Sequence, residues 1–367
     1  MNNKMRKILI ISMTGGFGHI KAGEALLDYA KENLPDISAE HIDISNINPL
    51  FKKLTIKFYD TISKKLPFIW GALYKITDFA PVSLVAKKIG EINFILKKEI
   101  KNYILNKNPD SIIFTNIVPL PLFSNFLSKK FTDIKMGVVV TDYYGHPYYN
   151  FPFLDYYFVV NEKVKEDLEK EGVSKEKIRI TGIPISPKFY IKENIVDLKK
   201  KYGINNDFPV VLLIASFRLS KNDLILMVKQ LLNFKQKINL IFIASSNEKF
   251  YNIVKDNFEG RDNLIFLNWV SNVDEYMKIS DVVISKAGGL TVSECLTLKK
   301  PMIIVNPIPG QEEYNAEFVE KNNFGKRVKS VNEIVKFLPE MIRISKNKTV
   351  DFMPKENPCK KIFQYIL

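Results

Sequence analysis

Short runs of apolar residues recur along the whole chain, and a helix-like segment follows most of them. Runs that are apolar throughout are typical of strands that a parallel sheet buries on both faces. Strands that alternate with helices predict a doubly wound α/β fold, which strongly limits the architectures open to this chain. The predicted strands are Lys7–Ser12, Ala39–Ile44, Ser111–Thr115, Met136–Thr141, Tyr156–Val160, Lys177–Gly182, Val210–Ala215, Leu240–Ala244, Leu264–Leu267, Asp281–Ser285 and Met302–Val305. The predicted helices are Ile20–Asn33, Glu162–Glu171, Asp223–Asn233, Lys249–Asn257, Val273–Ile279 and Val292–Leu298.

The alternation breaks once, near residue 185, where two prolines interrupt it. With 367 residues, the chain is long enough for two domains. We therefore predict two Rossmann-like domains facing a cleft, 1–185 and 186–350, with ligands at the carboxyl ends of the strands. Residues 351–367 are expected to hold a short helix that crosses back to the first domain. Asn357 would cap this helix, and Pro358 would be its first residue.

Composition narrows the cellular setting. The chain has two cysteines without metal-binding or CxxC spacing, so a reducing cytoplasm is expected and a disulfide framework is not. Neither a secretory signal nor a stretch of eighteen apolar residues is apparent, so we expect no membrane-spanning segment. The net charge of +14 suits anionic partners, namely lipid surfaces, nucleic acid or small anions.

Much of the positive charge lies in an insert, about residues 48–106, between the second and third predicted strands. Residues 51–107 hold twelve lysines and four acidic residues, a net charge of +8. Apolar stripes predict helices over Leu54–Leu66 and Leu84–Leu105. Basic amphipathic helices suit the surface of an anionic membrane, although the same stripes could pack on the sheet and leave the lysines solvated. Ten of the twelve lysines lie on the remaining, polar faces: Lys52, Lys53, Lys57, Lys64, Lys65, Lys87, Lys88, Lys97, Lys98 and Lys101.

A candidate phosphate site lies in the second half, between Ser285 and Ala316. The Gly288–Gly289 pair precedes a predicted helix, and helix N-termini bind anions through free N–H groups. Glu294, one turn in, could accept bonds from a ribose diol. A second polar loop at Gln311–Glu312 follows the next strand, so a nucleotide-sugar site is predicted. The alternative is an ordinary turn capped by Thr291.

A candidate base lies in the first half. His19 follows a glycine-rich loop, Thr14–Gly18, after the first strand, where a neutral imidazole could take a proton from a hydroxyl. Asp142 and His146 follow another strand and could contact an acceptor or orient His19, or Asp142 could cap its own loop. A metal site formed by these three residues is conceivable, but no DxD carboxylate pair stands at a suitable position, so we predict no metal.

These motifs together resemble the diacylglycerol glycosyltransferases of glycosyltransferase family 28, which include monogalactosyldiacylglycerol synthases and processive diacylglycerol glucosyltransferases. The resemblance implies a GT-B fold and inverting transfer from a UDP-sugar to diacylglycerol, without cofactor or essential metal. It also implies a cytoplasmic enzyme peripheral on the inner face of the cell membrane, with no nucleic-acid partner. The motifs are Gly15–Leu26, Thr141–His146, Lys177–Pro184, Asn268–Asn272, Ser285–Glu294 and Pro309–Ala316.

The resemblance also implies roles for individual residues. His19 would be the general base, and the acceptor would contact Gly16, Phe17, Gly18, Asp142 and His146. The donor would contact Ser216, Arg218, Val270, Gly288, Gly289, Leu290, Thr291, Glu294, Gln311, Glu312 and Asn315. Within this set, the glycine turn would hold the pyrophosphate, Glu294 would bind the ribose, and the backbone near Val270 would bind the uracil. Gln311 and Glu312 would bind the sugar, and Asn315 would support their loop.

Two departures from the family pattern bear on the donor and the acceptor. Phe17 interrupts the glycine run, which could narrow the acceptor loop. Ala215–Leu219 stands where the family usually has glycines, so the backbone would approach the donor less closely and Ser216 and Arg218 would compensate with phosphate contacts. Three alternative functions stay open: a UDP-sugar epimerase of the same architecture, a transferase with a different lipid-linked acceptor, and a non-catalytic binder of nucleotide-sugars or of anionic surfaces.

Overall fold

The computed structural model describes residues 5–14, 17–49, 52–53, 71–72, 76, 94–123, 133–215, 219–245, 247–347 and 356–367. Two parallel six-stranded sheets with flanking helices confirm the predicted α/β class. The chain divides into two compact units. The first comprises residues 1–187, 309–311 and 354–367, and the second comprises residues 188–308 and 312–353.

The first unit is built on a sheet with the strand order β2-β1-β3-β4-β5-β6. Its strands are β1 Arg6–Ser12, β2 Ile37–Asp43, β3 Ser111–Phe114, β4 Lys135–Val139, β5 Tyr156–Val159 and β6 Ile178–Ile180. Its α-helices are α1 Phe17–Asn33, α2 Phe94–Lys107, α3 Leu120–Phe123 and α4 Glu162–Lys170, and its short 3-10 helices are Ile44–Ile47, Pro147–Tyr149, Lys175–Lys177 and Pro187–Tyr190. Every predicted strand of the first half is confirmed to within two residues at either end.

The second unit is built on a sheet with the strand order β12-β11-β10-β7-β8-β9. Its strands are β7 Val210–Ile214, β8 Asn239–Ile243, β9 Leu264–Leu267, β10 Val282–Ser285, β11 Met302–Val305 and β12 Gly325–Val328. Its α-helices are α5 Ile195–Lys201, α6 Lys221–Leu232, α7 Glu248–Phe258, α8 Val273–Ile279, α9 Gly289–Thr297, α10 Gln311–Lys321 and α11 Ile334–Asn347, with a 3-10 helix at Val331–Glu333. Only the first residue of α10, Gln311, is grouped with the first unit. Because all strands are parallel, the loops that follow them meet at one edge of the sheet.

A terminal helix, α12 Pro358–Ile366, begins as predicted, with Pro358 at its first position and Asn357 capping the amide of Cys359. It packs against α1, β4 and β5 of the first unit. Cys359, Ile362, Phe363 and Ile366 are buried there with Ile8 and Ile10 of β1 and Ala25 and Ala30 of α1. Alanines on α1 leave room for these larger side chains, so the last residues of the chain complete the core beside its first strand and helix.

Helices α5 and α11 of the second unit were not predicted, and two further features differ from the sequence prediction. Strand β12 was not predicted, because Lys326 and Arg327 interrupt its apolar pattern. Gln311 and Glu312 were predicted in a loop, but they form the first turn of α10. The prediction was wrong there because Gly310 ends the preceding loop with a positive φ of 86°, which lets the helix begin at once.

Most of the basic insert cannot be compared with the prediction. The helix proposed over Leu54–Leu66 lies outside the described residues, as does the first part of the one proposed over Leu84–Leu105. The remainder of that second helix is confirmed as α2, which begins at Phe94 and extends to Lys107. No helix within the described part of the chain has the length and apolar character that a membrane crossing needs.

Candidate active site

The predicted base lies at the carboxyl end of the first sheet. Strand β1 ends at Ser12, and α1 begins at Phe17, so His19 is the third residue of the helix. Of the residues expected to contact the acceptor, Gly16 is outside the described part of the chain. Phe17 and Gly18 form the helix start immediately before His19. The imidazole is therefore held on a rigid element rather than on the loop.

Two neighbouring strands hold the His19 ring. Its Nδ1 lies 2.8 Å from the backbone oxygen of Thr115, which follows β3, and 3.0 Å from Oγ1 of Thr141, which follows β4. A carbonyl oxygen only accepts, so Nδ1 must carry the proton. In the neutral ring Nε2 is then unprotonated and has a lone pair. The structure therefore gives His19 the tautomer that a general base requires.

The environment of His19 also favours the neutral ring. Burial lowers the pKa of His19 below its ordinary value, while the charge of Asp142 and the hydrogen bond to Thr115 act in the opposite direction. Because the effect of burial is the largest, His19 is unprotonated at neutral pH and ready to accept a proton.

Thr14, which precedes His19 in the glycine-rich segment, is held by Asp43, the last residue of β2. Its carboxylate accepts hydrogen bonds from the amide of Thr14 at 3.1 Å and from the Thr14 hydroxyl. The amide and hydroxyl of Ser45 bind the same carboxylate at 3.0 and 2.7 Å. Burial acts to raise the pKa of Asp43, but these hydrogen bonds outweigh it and lower the pKa. Asp43 is thus a charged anchor that the sequence analysis missed; its position at a strand's carboxyl end was the available signal.

Asp142 and His146 lie in the buried loop after β4. His146 uses Nδ1 to accept the amide hydrogen of Tyr148 at 3.0 Å, so it caps the short helix Pro147–Tyr149. Gly145 lets this loop approach α4, because a Cβ there would lie 2.7 Å from Cβ of Asp167. The charge of Asp142 acts to raise the pKa of His19, so the two residues interact electrostatically.

In the second unit, the predicted phosphate turn lies between β10 and α9. Gly288 is the N-cap of α9, so the alternative that Thr291 caps this helix was wrong. A glycine cap has no side chain to bind the amides of the first turn, which include those of Gly289 and Leu290. These amides and the positive end of the helix dipole form a suitable anion site. Glu294 lies one turn further along the helix, half-buried.

Lys286, which the sequence analysis missed, lies beside this turn and forms an ion pair with Glu312 on α10. A Cβ at Gly288 would lie 3.8 Å from Lys286 Nζ and 3.9 Å from both Glu312 Oε1 and Thr291 Oγ1, so these groups converge on the turn. The amide of Ile308 also donates to Glu312 Oε2 at 2.9 Å. The signal for Lys286 was a cation two residues before the Gly288–Gly289 pair.

The remaining predicted donor contacts are placed as follows. Asn315 of α10 donates to the backbone oxygen of Ala287 at 3.0 Å, and so ties α10 to the phosphate turn. Gln311 is the first residue of the same helix. Val270 is partly buried in the loop after β9, next to Trp269, which is 60% exposed. Ser216 and Arg218 lie outside the described residues. In the described ranges, no three His, Cys, Asp or Glu side chains come together in a way that could hold a metal ion.

Comparison with known families separates the same two parts of the chain. Residues 19–185 match the family described as Monogalactosyldiacylglycerol (MGDG) synthase, and residues 219–363 match the glycosyltransferase family 28 C-terminal domain. Both halves of the chain are therefore similar to known glycosyltransferase domains. The chain is a glycosyltransferase, and the resemblance inferred from its motifs is confirmed.

Two curated proteins illustrate the relationship of this glycosyltransferase to others. The processive diacylglycerol beta-glucosyltransferase of Staphylococcus haemolyticus is 28% identical over 344 residues, which cover 93% of this chain and 86% of that protein. The protein of the same description from Bacillus pumilus is 28% identical over 330 residues, covering 87% and 82%.

Solved structures of lower identity show the fold. The S. aureus MnaA–UDP co-structure aligns with a TM-score of 0.62 at 15% identity, covering 99% of this chain and 96% of that one. The crystal structure of Acinetobacter baumannii MurG aligns with a TM-score of 0.55 at 12% identity, covering 98% and 99%. The glycosyltransferase therefore has the GT-B fold, with two Rossmann-like domains, as predicted.

Proposed function

We propose that this glycosyltransferase transfers a hexose from a UDP-sugar to diacylglycerol with inversion, and that His19 is the general base. The single observation that carries the proposal is the hydrogen bond from His19 Nδ1 to the Thr115 backbone oxygen at 2.8 Å. It leaves Nε2 with a lone pair for the acceptor hydroxyl. The names of the relatives support diacylglycerol as the acceptor and glucose as the first donor sugar to test.

The proposed step is one displacement. The acceptor hydroxyl gives its proton to His19 Nε2, and its oxygen forms a bond to C1 of the hexose. The bond between C1 and the UDP oxygen breaks, and UDP leaves with the electron pair. Displacement on an α-linked UDP-hexose gives a β-glycoside, which agrees with the beta linkage in the names of the relatives. Positioned proton transfer of this kind typically contributes about 10² to 10⁴ in rate.

The second unit would bind the donor. Amides at the start of α9 and the ammonium of Lys286 would stabilise the charge that develops on the leaving pyrophosphate. Gln311 and Glu312 at the start of α10 would face the sugar, the loop around Val270 would bind uracil, and Glu294 would bind ribose. The first unit, including Asp142, would bind the acceptor.

An anionic membrane surface is the proposed place of reaction, with the enzyme peripheral on the cytoplasmic side. The insert supports this, because residues 51–107 carry a net charge of +8. Each lysine near an anionic leaflet contributes about 1 kcal/mol to binding. The enzyme is expected to bind vesicles with phosphatidylglycerol more tightly than purely zwitterionic vesicles, and to lose the difference in high salt.

A donor screen tests the proposal. The enzyme is incubated with vesicles that contain diacylglycerol and with UDP-glucose, UDP-galactose or UDP-N-acetylglucosamine, and lipid products are identified by mass. We expect a hexosyl-diacylglycerol from one donor and stoichiometric release of UDP. The proposal fails if no donor gives a glycolipid and UDP does not bind. Conversion of UDP-N-acetylglucosamine without an acceptor would instead indicate an epimerase.

A further inference from the structure

A row of polar groups connects β2 to the start of α1. His41 Nε2 lies 2.7 Å from Ser12 Oγ, and Ser12 Oγ lies 2.7 Å from Thr115 Oγ1. Thr115 Oγ1 in turn donates to the backbone oxygen of His19 at 2.8 Å. Ser12 Oγ also lies 3.2 Å from that same oxygen. The row therefore ends on the backbone of the residue proposed as the base.

Counting protons gives the direction of these hydrogen bonds. The His19 carbonyl only accepts, so the Thr115 hydroxyl proton points to it. The contact of 2.7 Å between Ser12 and Thr115 then requires the Ser12 proton, in preference to the more distant His19 oxygen at 3.2 Å, and in either case that proton is not available to His41. With both hydroxyl protons used, the contact between Ser12 Oγ and His41 requires that the ring donates. His41 therefore carries a proton on Nε2, and every member of the row donates toward His19, an arrangement in which hydrogen bonds strengthen one another.

Gly23 of α1 makes room for the row. A Cβ at this position would lie 2.4 Å from His41 Nε2 and 2.6 Å from Ser12 Oγ. Glycine in a helix costs about 1 kcal/mol relative to alanine. Its φ is not positive, so space alone explains why a glycine is needed here. The helix thus carries a destabilising residue at the point where the row passes.

Thr115 holds His19 at two points. Its hydroxyl donates to the backbone oxygen of His19, and its own backbone oxygen accepts the proton of His19 Nδ1. We propose that His41 is a positioning residue for His19, acting through Ser12 and Thr115. The inference rests on the proposed role of His19 as the base.

The charge state of His41 agrees with a neutral donor. Burial lowers the pKa of His41, and the carboxylates of Glu24 and Asp28 on α1 and of Asp43 on its own strand act in the opposite direction. At neutral pH the ring therefore carries a single proton, which the row of hydrogen bonds places on Nε2.

Nitrogen-15 NMR of the histidine-labelled enzyme tests the positioning without any substrate. The chain has only three histidines, so each ring can be assigned by substitution. We expect His19 as the Nδ1–H tautomer and His41 as the Nε2–H tautomer. His146 is an internal reference, because it accepts a backbone proton on Nδ1 and must be Nε2–H. An Nδ1–H tautomer at His41 would overturn the proton assignment and the proposal with it.

Three variants test the effect on His19. His41→Gln keeps an N–H donor, His41→Leu removes it, and Gly23→Ala displaces the row without removing any member. His41→Leu and Gly23→Ala are expected to lower the His19 pKa further, because they weaken the bond to Thr115 that raises it. In the transfer assay both should reduce kcat about 10- to 100-fold, with KM for the UDP-sugar unchanged, since small misplacement of a catalytic group has effects of this order.

The outcomes separate the two proposals. His41→Gln should stay within about twofold of the wild-type kcat, since the donated bond is kept. If His41→Leu and Gly23→Ala leave the His19 titration unchanged, the positioning role is refuted whatever the reaction is. If the wild-type enzyme transfers no sugar but the titration shifts as expected, the proposed function fails and the positioning stands. Equal loss of kcat and thermal stability in all three variants, including His41→Gln, would indicate a structural role only.

Discussion

Breaking the ion pair between Lys286 and Glu312 should affect the free energy of unfolding and the affinity for UDP in different ways, depending on which partner is replaced. The Glu312 side chain is 6% exposed and that of Lys286 is 26% exposed. Two unit charges 4 Å apart attract by about 4 kcal/mol at an effective dielectric constant of 20. Since Lys286 is partly solvated, we expect about half of that, about 2 kcal/mol. Lys286→Met should lower the free energy of unfolding by about this amount, because a buried carboxylate loses its counter-charge.

A double-mutant cycle measures the coupling directly. Lys286→Met, Glu312→Gln and the double variant are unfolded in urea, and UDP binding to each is measured by calorimetry. The double variant should recover most of the stability that Lys286→Met loses, giving a coupling free energy of about 2 kcal/mol. UDP affinity should follow Lys286 alone and fall about tenfold in both variants that lack it, because a hydrogen bond to a charged group contributes about 1.5 to 3 kcal/mol.

Two results would refute this reasoning separately. If the change in unfolding free energy of the double variant equals the sum of the two single changes to within about 0.5 kcal/mol, the interaction between Lys286 and Glu312 does not contribute to stability. An unchanged UDP affinity in Lys286→Met would mean that the ammonium does not reach the phosphates, whatever its role in stability. Glu312→Gln is the matched control, since it removes the charge of the partner and keeps Lys286.

Two further outcomes are expected. His19 must be neutral to act, and burial lowers its pKa below the ordinary value of about 6.5, so kcat/KM should stay level as the pH falls to 6.5 and should decrease tenfold per pH unit only below that. A decrease that begins above pH 6.5 would contradict the assignment of His19 as the base. Phe363→Ala should lower the free energy of unfolding by about 3 to 5 kcal/mol, because Phe363 is 1% exposed in the core beside α1. Tyr365→Ala is the control, because Tyr365 lies on the same helix but is 39% exposed; it should lower the free energy of unfolding by only about 1 kcal/mol, through loss of its contact with Arg179. Equal losses for the two variants in urea unfolding would show that α12 does not complete that core.

Strands and their order of appearance were predictable because the apolar runs are nearly continuous. Val210–Ile214 and Met302–Val305 contain only Val, Leu, Ile and Met, and such runs suit burial on both faces. Strand β12 has no such run, since it is an edge strand with Lys326 and Arg327 in the middle. Residues 325–328 form a strand because they pair with β11, and their own sequence pattern does not predict one.

The site was predictable as a set of residue types but not as a set of contacts. His19 was predicted from its place after a glycine loop. Its partners Thr115 and Thr141, however, are distant in sequence and reach it only because parallel pairing places the ends of β1, β3 and β4 side by side. Lys286 and Asp43 were missed for a related reason. A single charged residue next to a strand end gains meaning only when its partner on another element is known.

The most direct test of the account is transfer by His19→Ala with UDP binding measured on the same preparation. Removing the base should reduce kcat by about 10² to 10⁴. UDP affinity should stay unchanged, because no group of the proposed donor site is altered. Transfer by His19→Ala within a few-fold of the wild-type rate would contradict the central claim that His19 Nε2 takes the proton from the acceptor.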